Sequence, residues 1–594
     1  MRSLLLCAAL CAASNAVAET ARQPEVVVTA TRRAQTVDDT LATVTVITRE
    51  DIARSHAPDL PTLLRGVPGV DVARTGGEGQ QTAVFLRGAN ANQALVLIDG
   101  IRVSSANTGG FAWEHLPLGQ VERIEIVRGP RAAWHGSDAI GGVVQVFTRD
   151  PRGADARLAL GRWDRREAQA SWGTGDDAAG FGAVAGGIDF DGFSAQKPGG
   201  FSYDPDADGY RNRNLGLRGH ATLGRQRVAL KTYSTRADVE FDRGETMIDT
   251  DVAGLTVEGP LAATLGQRLV LGFNREALDT PAFAAAFRSQ RSSLDWTGDL
   301  ALGADASLVF GLNWVRERGE SLDTAGGGCT YCESRRNLGL FATAQGSRGA
   351  FDWQAAARHD DNSTFGGATT GQFAGGWRWG EATRAFLSVG QGFRAPNLNE
   401  LYSPGFGGLF AGNPALDPER SDSVELGIDA AAGAHTIGLR LHRTRVRDLI
   451  AFQGGQTFQA VNVARAAIDG AELTWSWRAG DWRLDAGATW QDARDERTGL
   501  DLLRRPARKY TLGVERASGA LTAGTDLHYA SPRRDFAGPL PGYALLDLRL
   551  DWPLAGGWRV GARLDNALDR DYELAAGFAT PRRALLLDVG WRGP

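Results

Sequence analysis

A two-residue alternation, repeated through the second half of the chain, constrains the fold more than any other feature. Trp482, Leu484, Ala486, Ala488 and Trp490 alternate with Arg483, Asp485, Gly487 and Thr489. Leu521, Ala523, Leu527 and Tyr529 alternate with Thr522, Gly524, Asp526 and His528. Ala544, Leu546, Leu548, Leu550 and Trp552 face a more mixed set containing Asp547, Arg549 and Asp551. Trp558, Val560, Ala562 and Leu564 alternate with Arg559, Gly561, Arg563 and Asp565, and Leu585, Leu587, Val589 and Trp591 end the series. Successive side chains of a strand point to opposite faces, so this period means strands with one apolar face. Each segment reaches the roughly 9–11 residues of a tilted membrane strand. Aromatics recur at segment ends, as a girdle at a lipid interface requires. A soluble sandwich would bury the same face in its core, but strands of this length and number are unusual there. Backbone groups in lipid must all be paired, so such a sheet has to close. Residues 153–594 hold roughly 22 strands at about 20 residues per strand with its loop, the size class whose lumen is plugged. The expected architecture is an all-β membrane barrel with something inside it.

Composition agrees. A chain of 594 residues exceeds one ordinary domain. With 43% hydrophobic and 23% charged residues it is not disordered, and its 76 glycines follow no fixed period, which removes collagen. A net charge of -5 argues against a nucleic-acid partner. The first residues read as a secretory signal, 1–18: Arg2, an apolar run from Leu4 to Ala13, then Ala16-Val17-Ala18, with cleavage expected after Ala18. That run is too short to span about 30 Å of hydrocarbon. Cys7 and Cys11 leave with it, and Cys329 and Cys332 remain. No other stretch reaches about 18 continuous apolar residues. An exported chain of this kind is periplasmic, secreted or an outer-membrane barrel, and the alternation selects the last. Gly-x-Ser-x-Gly, His-Glu-x-x-His and P-loop motifs are missing, so no enzyme is expected.

Residues 36–152 read differently, as a small α+β domain. Val44 to Ile47 is a strand, and Thr48-Arg49-Glu50-Asp51 opens a helix. Pro61 to Leu64 continue into a second helix ending at Gly66. Val70 to Val72, Val84 to Arg87, Leu95 to Ile98, Val121 to Val127 and Val143 to Thr148 are short strands, with a hairpin turn at Asp99-Gly100. Within this domain come Leu86-Arg87-Gly88, Leu97-Ile98-Asp99-Gly100, Val121-Glu122-Arg123-Ile124-Glu125-Ile126, Val127-Arg128-Gly129-Pro130 and Gly136-Ser137-Asp138-Ala139-Ile140-Gly141-Gly142-Val143-Val144. This ordered set resembles the plug of TonB-dependent receptors. Ahead of it, in 19–35, Glu25-Val26-Val27-Val28-Thr29-Ala30 looks like a TonB box. Its β-branched run favours an extended strand that can add to a partner's sheet edge.

The resemblance implies a monomeric outer-membrane transporter of a Gram-negative cell, embedded in outer-membrane lipid, and the short stretch ahead of the plug is expected to leave no room for a signalling domain. Substrate binds at the extracellular face, the box becomes available in the periplasm, and TonB of the inner-membrane energy-coupling complex pulls on it. Arg87, Arg128, Arg131, Glu122 and Glu125 are expected to form plug–barrel ion pairs released in that step.

Within the family the sequence resembles outer-membrane cobalamin receptors. The shared stretches are Arg74-Thr75-Gly76-Gly77-Glu78-Gly79-Gln80, Arg87-Gly88-Ala89-Asn90-Ala91-Asn92, Ser137-Asp138-Ala139-Ile140, Ala395-Pro396-Asn397-Leu398 with Leu401-Tyr402, Asn413-Pro414 with Leu416-Asp417-Pro418-Glu419, Leu503-Arg504-Arg505, and Asp565-Asn566 with Asp569-Arg570-Asp571-Tyr572-Glu573. The resemblance places cobalamin contacts on Gln81, Ala83, Asn90, Thr108 and Gly109; Asn90 is retained, while Gln81, Ala83 and the loop around Thr108 depart in chemistry. The alternative substrates are a ferric siderophore, haem or another metal chelate. Haem receptors that share Phe393-Arg394-Ala395-Pro396 and Asn413-Pro414-Ala415-Leu416 place a histidine between these motifs, and this chain has none there. His115 and His135 are expected to be structural.

Asp204-Pro205-Asp206-Ala207-Asp208-Gly209 sets three carboxylates at alternate positions before a glycine, like the first half of a calcium loop. An EF-hand's final Glu is replaced by Leu215. The resemblance adds Asp242 and Asp249 from the next loop, so calcium is the expected cofactor, with Ser194 in place of one further ligand. Cys329-Thr330-Tyr331-Cys332 follows Gly326-Gly327-Gly328 and reads either as a loop disulfide or as thiol or metal chemistry. At the C-terminus, Trp591 fits a terminal aromatic, but Arg592-Gly593-Pro594 follow it.

Overall fold

The computed structural model describes residues 26–27, 29–200, 202–405, 410–452 and 459–593. The expected signal segment with Cys7 and Cys11, the box residues Glu25 and Val28, and Pro594 lie outside the described residues.

From residue 153 onward each long strand pairs antiparallel with its sequence neighbours. The first, Gly153–Gly161, also pairs with the last, Ala584–Arg592, with Leu158 opposite Val589. That pairing closes a barrel of 22 strands among the described residues. Closure leaves no edge, so every barrel strand has a neighbour on both sides. At one end the strands are joined by tight turns such as 224–225, 349–350, 433–434 and 480–481; at the other, long segments such as 191–209, 395–418 and 566–583 connect them. Short turns mark the periplasmic end of such a barrel and long loops the extracellular end.

The apolar face of the alternation points outward. Leu548, Leu550 and Trp552 are 41%, 47% and 51% exposed, while Asp547 on the opposite face is 1% exposed. Leu585 and Leu587 of the closing strand, and Trp482 and Trp490, are exposed in the same way. Apolar-out and polar-in is the inverse of a water-soluble sandwich and matches lipid outside with a filled lumen inside. No helix among the described residues is long and apolar enough to cross a membrane.

The lumen holds the N-terminal domain. Its mixed five-stranded sheet runs Thr43–Ile47, Val121–Arg128, Gly142–Thr148, Ala94–Ile98, Ile101–Arg102, with a separate hairpin of Val70–Arg74 and Thr82–Leu86. Helix α1 (Arg49–Ser55) starts at a capping box in which Thr48 and Asp51 satisfy each other's amides. Helix α2 (Leu60–Leu64) is capped by Asp59 and carries Pro61 in its first turn. Ile52, Leu60, Leu86, Val96, Ile124, Ile126 and Val144 form the core, which extends to Tyr233, Val252 and Val270 of the barrel wall. Asp99 and Gly100, with φ of 51° and 88°, make the tight turn between Ala94–Ile98 and Ile101–Arg102.

Two details differ from the sequence reading. The strand expected over Val84 to Arg87 ends at Leu86, because Arg87 takes the left-handed conformation (φ 48°) and turns its side chain to the barrel. A single helical turn, α3 (Ala132–His135), packs wholly buried against the wall, and no side chain caps its start, so no capping signal marks it. One further short helix, α4 (Leu398–Tyr402), lies in the extracellular segment 395–418.

Candidate functional site

Three plug loops meet the extracellular end of the barrel. In loop 75–81, the Gln80 side chain donates to Glu240 O, and Glu78 receives two bonds from Arg165 at 2.7 and 3.0 Å. Gln81 is exposed and Ala83 half-buried beside it. In the next loop, Asn90 Oδ1 accepts a 2.6 Å bond from Arg505, whose guanidinium also lies over the Phe85 ring at 4.0 Å. Burial pushes Arg505 down to about 10, with Asp71 acting in the other direction. In the third, Thr108 is exposed and Gly109 has a φ of 73°. A Cβ on Gly109 would lie 3.3 Å from that of Asn92, so the second and third loops adjoin. The apex loop around Thr108 is gripped by the barrel. Ala106 N donates to Ser289 Oγ (2.8 Å), Asn107 Nδ2 to Arg288 O (3.0 Å), and Asn397 Nδ2 to Thr108 O (2.9 Å). Asn397 can do this because it caps α4, in a capping box with Glu400.

The carboxylates singled out as calcium ligands separate into two places. Asp208 and Asp242 are buried, and Asp242 Oδ1 accepts from Asp204 N at 3.1 Å. Burial, reinforced by Asp242, Asp206 and Glu240 and opposed by the Ala195 amide, pushes Asp208 up to about 6. Asp249 sits further down the hairpin, opposite Arg236 in register, and pairs with it at 3.2 Å. The structure does not bring it to the others. Among the described residues, no three His, Cys, Asp or Glu side chains converge closely enough to hold a metal ion. Ser194 Oγ donates to Asp204 O at 2.8 Å. Cys329 and Cys332 are joined by a disulfide on the strand Gly328–Arg348. The two plug histidines expected to be structural are buried: His115 Nδ1 lies 3.3 Å from Tyr210 Oη, and His135 Nε2 lies 2.8 Å from Thr29 O. Burial pushes each down to about 3, so both are neutral.

Mid-plug, buried ion pairs bind the domain to the wall. Arg87 reaches Glu472 at 2.7 Å and Glu425 at 3.0 Å, and Arg128 reaches Glu472 at 3.1 Å. Burial works against the charge on Arg87, but the two carboxylates outweigh it and leave its pKa raised. Arg65 meets Asp547 at 3.1 Å, and Lys509 of the wall donates to Val67 O at 3.0 Å. Glu125 is turned inward instead, pairing with Arg123 at 2.8 Å within the plug.

Glu125 also holds the start of the described chain. Thr29 donates to Glu125 Oε2 through its amide (3.0 Å) and its hydroxyl (2.6 Å). The carbonyl of Thr29 can only accept, so neutral His135 donates to it from Nε2. Val26–Val27 pairs antiparallel with Gln35–Thr36, and Val27, Thr29 and Ala30 are buried. Arg32 makes two 2.7 Å bonds to Asp295 of the wall. A cavity of about 670 Å³ opens beside this segment, lined by Thr29, Arg32, Asp99, His135, Lys231 and Asp295. The sequence marked Thr29 as part of an extended segment but gave no sign of these partners, which are distant along the chain.

Comparison with known proteins agrees with this architecture. Residues 36–143 match the TonB-dependent receptor plug domain, and residues 149–567 match the TonB-dependent receptor-like β-barrel. Among solved structures, the siderophore receptor PirA of Acinetobacter baumannii superposes with a TM-score of 0.79 at 16% identity, covering 92% of this chain and 98% of that one. The FrpB iron transporter of Neisseria meningitidis gives 0.79 at 16% identity, with 92% and 99% covered. A mutant of the ferric enterobactin receptor PfeA of Pseudomonas aeruginosa, in complex with enterobactin, gives 0.77 at 19% identity, with 93% and 99% covered. At such identities the likeness is one of fold. The family matches span most of the chain, and the closed barrel carries its apolar face outward around a plug, so this protein belongs to the TonB-dependent receptors of the outer membrane.

Proposed function

We propose that this receptor imports a metal chelate across the outer membrane, with the energy delivered through TonB. One observation carries the reading: a single plug presents its apex loop to the mouth and holds Thr29 under Glu125 at its other side. A ligand at the apex and a pull on the box would act on the same body, held to the wall by Arg87 and Arg128. The chelate class favoured by the fold neighbours is a ferric siderophore, since PirA and PfeA are described as siderophore and ferric enterobactin receptors.

A second reading, a corrinoid such as cobalamin, is favoured by the cobalamin-receptor stretches around Asn90 and by the carboxylate loop. Asp208 and Asp242 are buried with Asp206 and Glu240 nearby. A calcium ion would offset their mutual repulsion and draw Asp204, Asp206 and Asp208 together. Equilibrium binding of ferric enterobactin and of cyanocobalamin to the purified receptor, each with and without calcium, separates the readings. Tight binding of the iron chelate alone supports the first. Binding of cyanocobalamin that weakens on chelation of calcium supports the second, and binding of neither overturns both.

A further inference from the structure

The cysteine pair at the extracellular end does more than tie a loop. In a regular strand, residues three apart point to opposite faces, so Cys329 and Cys332 could not meet. The register between Ala306–Asp323 and Gly328–Arg348 is regular up to Ser321 opposite Tyr331, then jumps to Leu322 opposite Cys329. Thr330 is therefore the extra residue of a β-bulge. Cross-strand partners share a face, so Cys329 lies on the side of Leu322, Cys332 on the side of Glu320, and Tyr331 with Ser321 on the other side. The bulge thus puts both cysteines on one face, with Cα atoms 6.1 Å apart, and the disulfide closes over it.

Tyr331 points the other way, into the mouth. Both cysteines and Thr330 are exposed, whereas Tyr331 is 7% exposed and packs with Ala106, Leu398 and Leu401. Its hydroxyl faces two side-chain carbonyls, Asn107 Oδ1 at 3.0 Å and Asn399 Oδ1. Asn107 precedes Thr108 in the plug's apex loop, and Asn399 belongs to α4, whose cap Asn397 holds Thr108 O. Asn107 Nδ2 is committed to Arg288 O, so the single hydroxyl proton goes to Asn107 Oδ1, and Asn399 bonds the same oxygen only with its amide turned to donate; in that arrangement one hydroxyl joins a barrel hairpin, the plug apex and α4.

We propose that Tyr331, aimed by a bulge that the Cys329–Cys332 bond locks, is a positioning residue that sets the apex loop 104–110 for ligand. The role in binding rests on the proposed function above; the effect on the loop does not.

The test uses the full-length receptor in detergent, in three forms: wild type, Tyr331→Phe, and Cys329→Ser with Cys332→Ser. Tyr331→Phe keeps the packing and removes the hydroxyl. Amide hydrogen exchange is read at 104–110, with Val121–Arg128 as the internal reference and heat-modifiable gel mobility as the check on barrel integrity. Exchange at 104–110 is expected to rise about tenfold in both variants, the scale of one or two net hydrogen bonds lost, while the reference strand stays unchanged. Of the probes ferric enterobactin and cyanocobalamin, whichever the wild type binds is expected to bind about tenfold more weakly to both variants. Unchanged exchange at 104–110 in both variants overturns the proposal, as does an increase spread equally over the reference strand. Exchange needs no ligand, so a wild type that binds neither probe overturns the substrate readings and leaves the positioning role to be decided by exchange.

Discussion

Arg87 and Glu472, 385 residues apart in sequence, lie 2.7 Å from each other inside the barrel. The pair is reached from both sides. Glu472 also takes Arg128, and Arg87 also takes Glu425, so two plug cations and two wall carboxylates form one buried cluster. A buried ion pair is a poor source of net stability but a strong specifier of position, since separating it leaves a charge without a partner.

Replacing Arg87 by Ala should therefore loosen the plug sharply. The expected loss is about 3–5 kcal/mol of plug docking, because Glu472 and Glu425 remain buried. Urea unfolding followed through the buried plug tryptophans Trp113 and Trp134 checks it. An unchanged midpoint would show that the cluster does not hold the plug.

The Thr29 contacts bear on energy coupling. Thr29→Val keeps the shape and removes the hydroxyl bond to Glu125. If these contacts hold the box segment back, the variant without substrate should bind the soluble domain of TonB several-fold more tightly, as expected for about 1 kcal/mol released. Isothermal titration with that domain decides the matter, and equal affinity for wild type and variant would refute a latch.

His56 should make plug docking depend on pH. Its ring is buried, with Nδ1 2.8 Å from Asp588 and Nε2 3.6 Å from Asp551. Burial disfavours the charged ring, but the carboxylates overcome it and raise the pKa. The folded state therefore favours the protonated form. Its contribution is complete below the unfolded value of about 6.5 and is lost as pH rises through the folded value. The urea midpoint should fall as pH rises above that point, and His56→Gln should remove this slope. A slope that survives the substitution assigns it to other groups.

The outward face gives a fourth expectation. Leu548 lies midway along the strand Tyr543–Pro553 and faces out. Leu548→Arg should cost about 2–4 kcal/mol of folding stability in a bilayer, the depth-dependent cost of a cation near the midplane. Folding titrations into lipid vesicles measure it. A cost near zero would place this position away from lipid.

Much of this molecule was legible in its sequence. Alternation at Ala544 to Trp552 gave strands, and the run of such segments gave a closed barrel of the right size class. The plug strands and α1 were readable because capping at Thr48 and the turn at Asp99-Gly100 are local signals. The site was less legible. Asp204, Asp206, Asp208 and Asp249 look alike in sequence, yet Asp249 is drawn to Arg236 on the facing strand. Glu125 reads as a candidate for the wall, yet it pairs with Arg123 and holds Thr29. The cysteine pair left a disulfide and a metal or thiol role open. A bulge that the sequence does not announce put the two sulfurs on one face.

The sequence by itself determined which faces of the strands are apolar, where the turns fall and that the sheet must close. Those properties follow from the side chains of adjacent residues and from the need to pair backbone groups in lipid. Only the tertiary structure decided which polar groups meet. Arg87 finds Glu472, His56 finds Asp588 and Tyr331 finds Asn107 across separations that local patterning cannot encode. Those pairings are fixed by the registers of the closed barrel and by how the plug is seated within it.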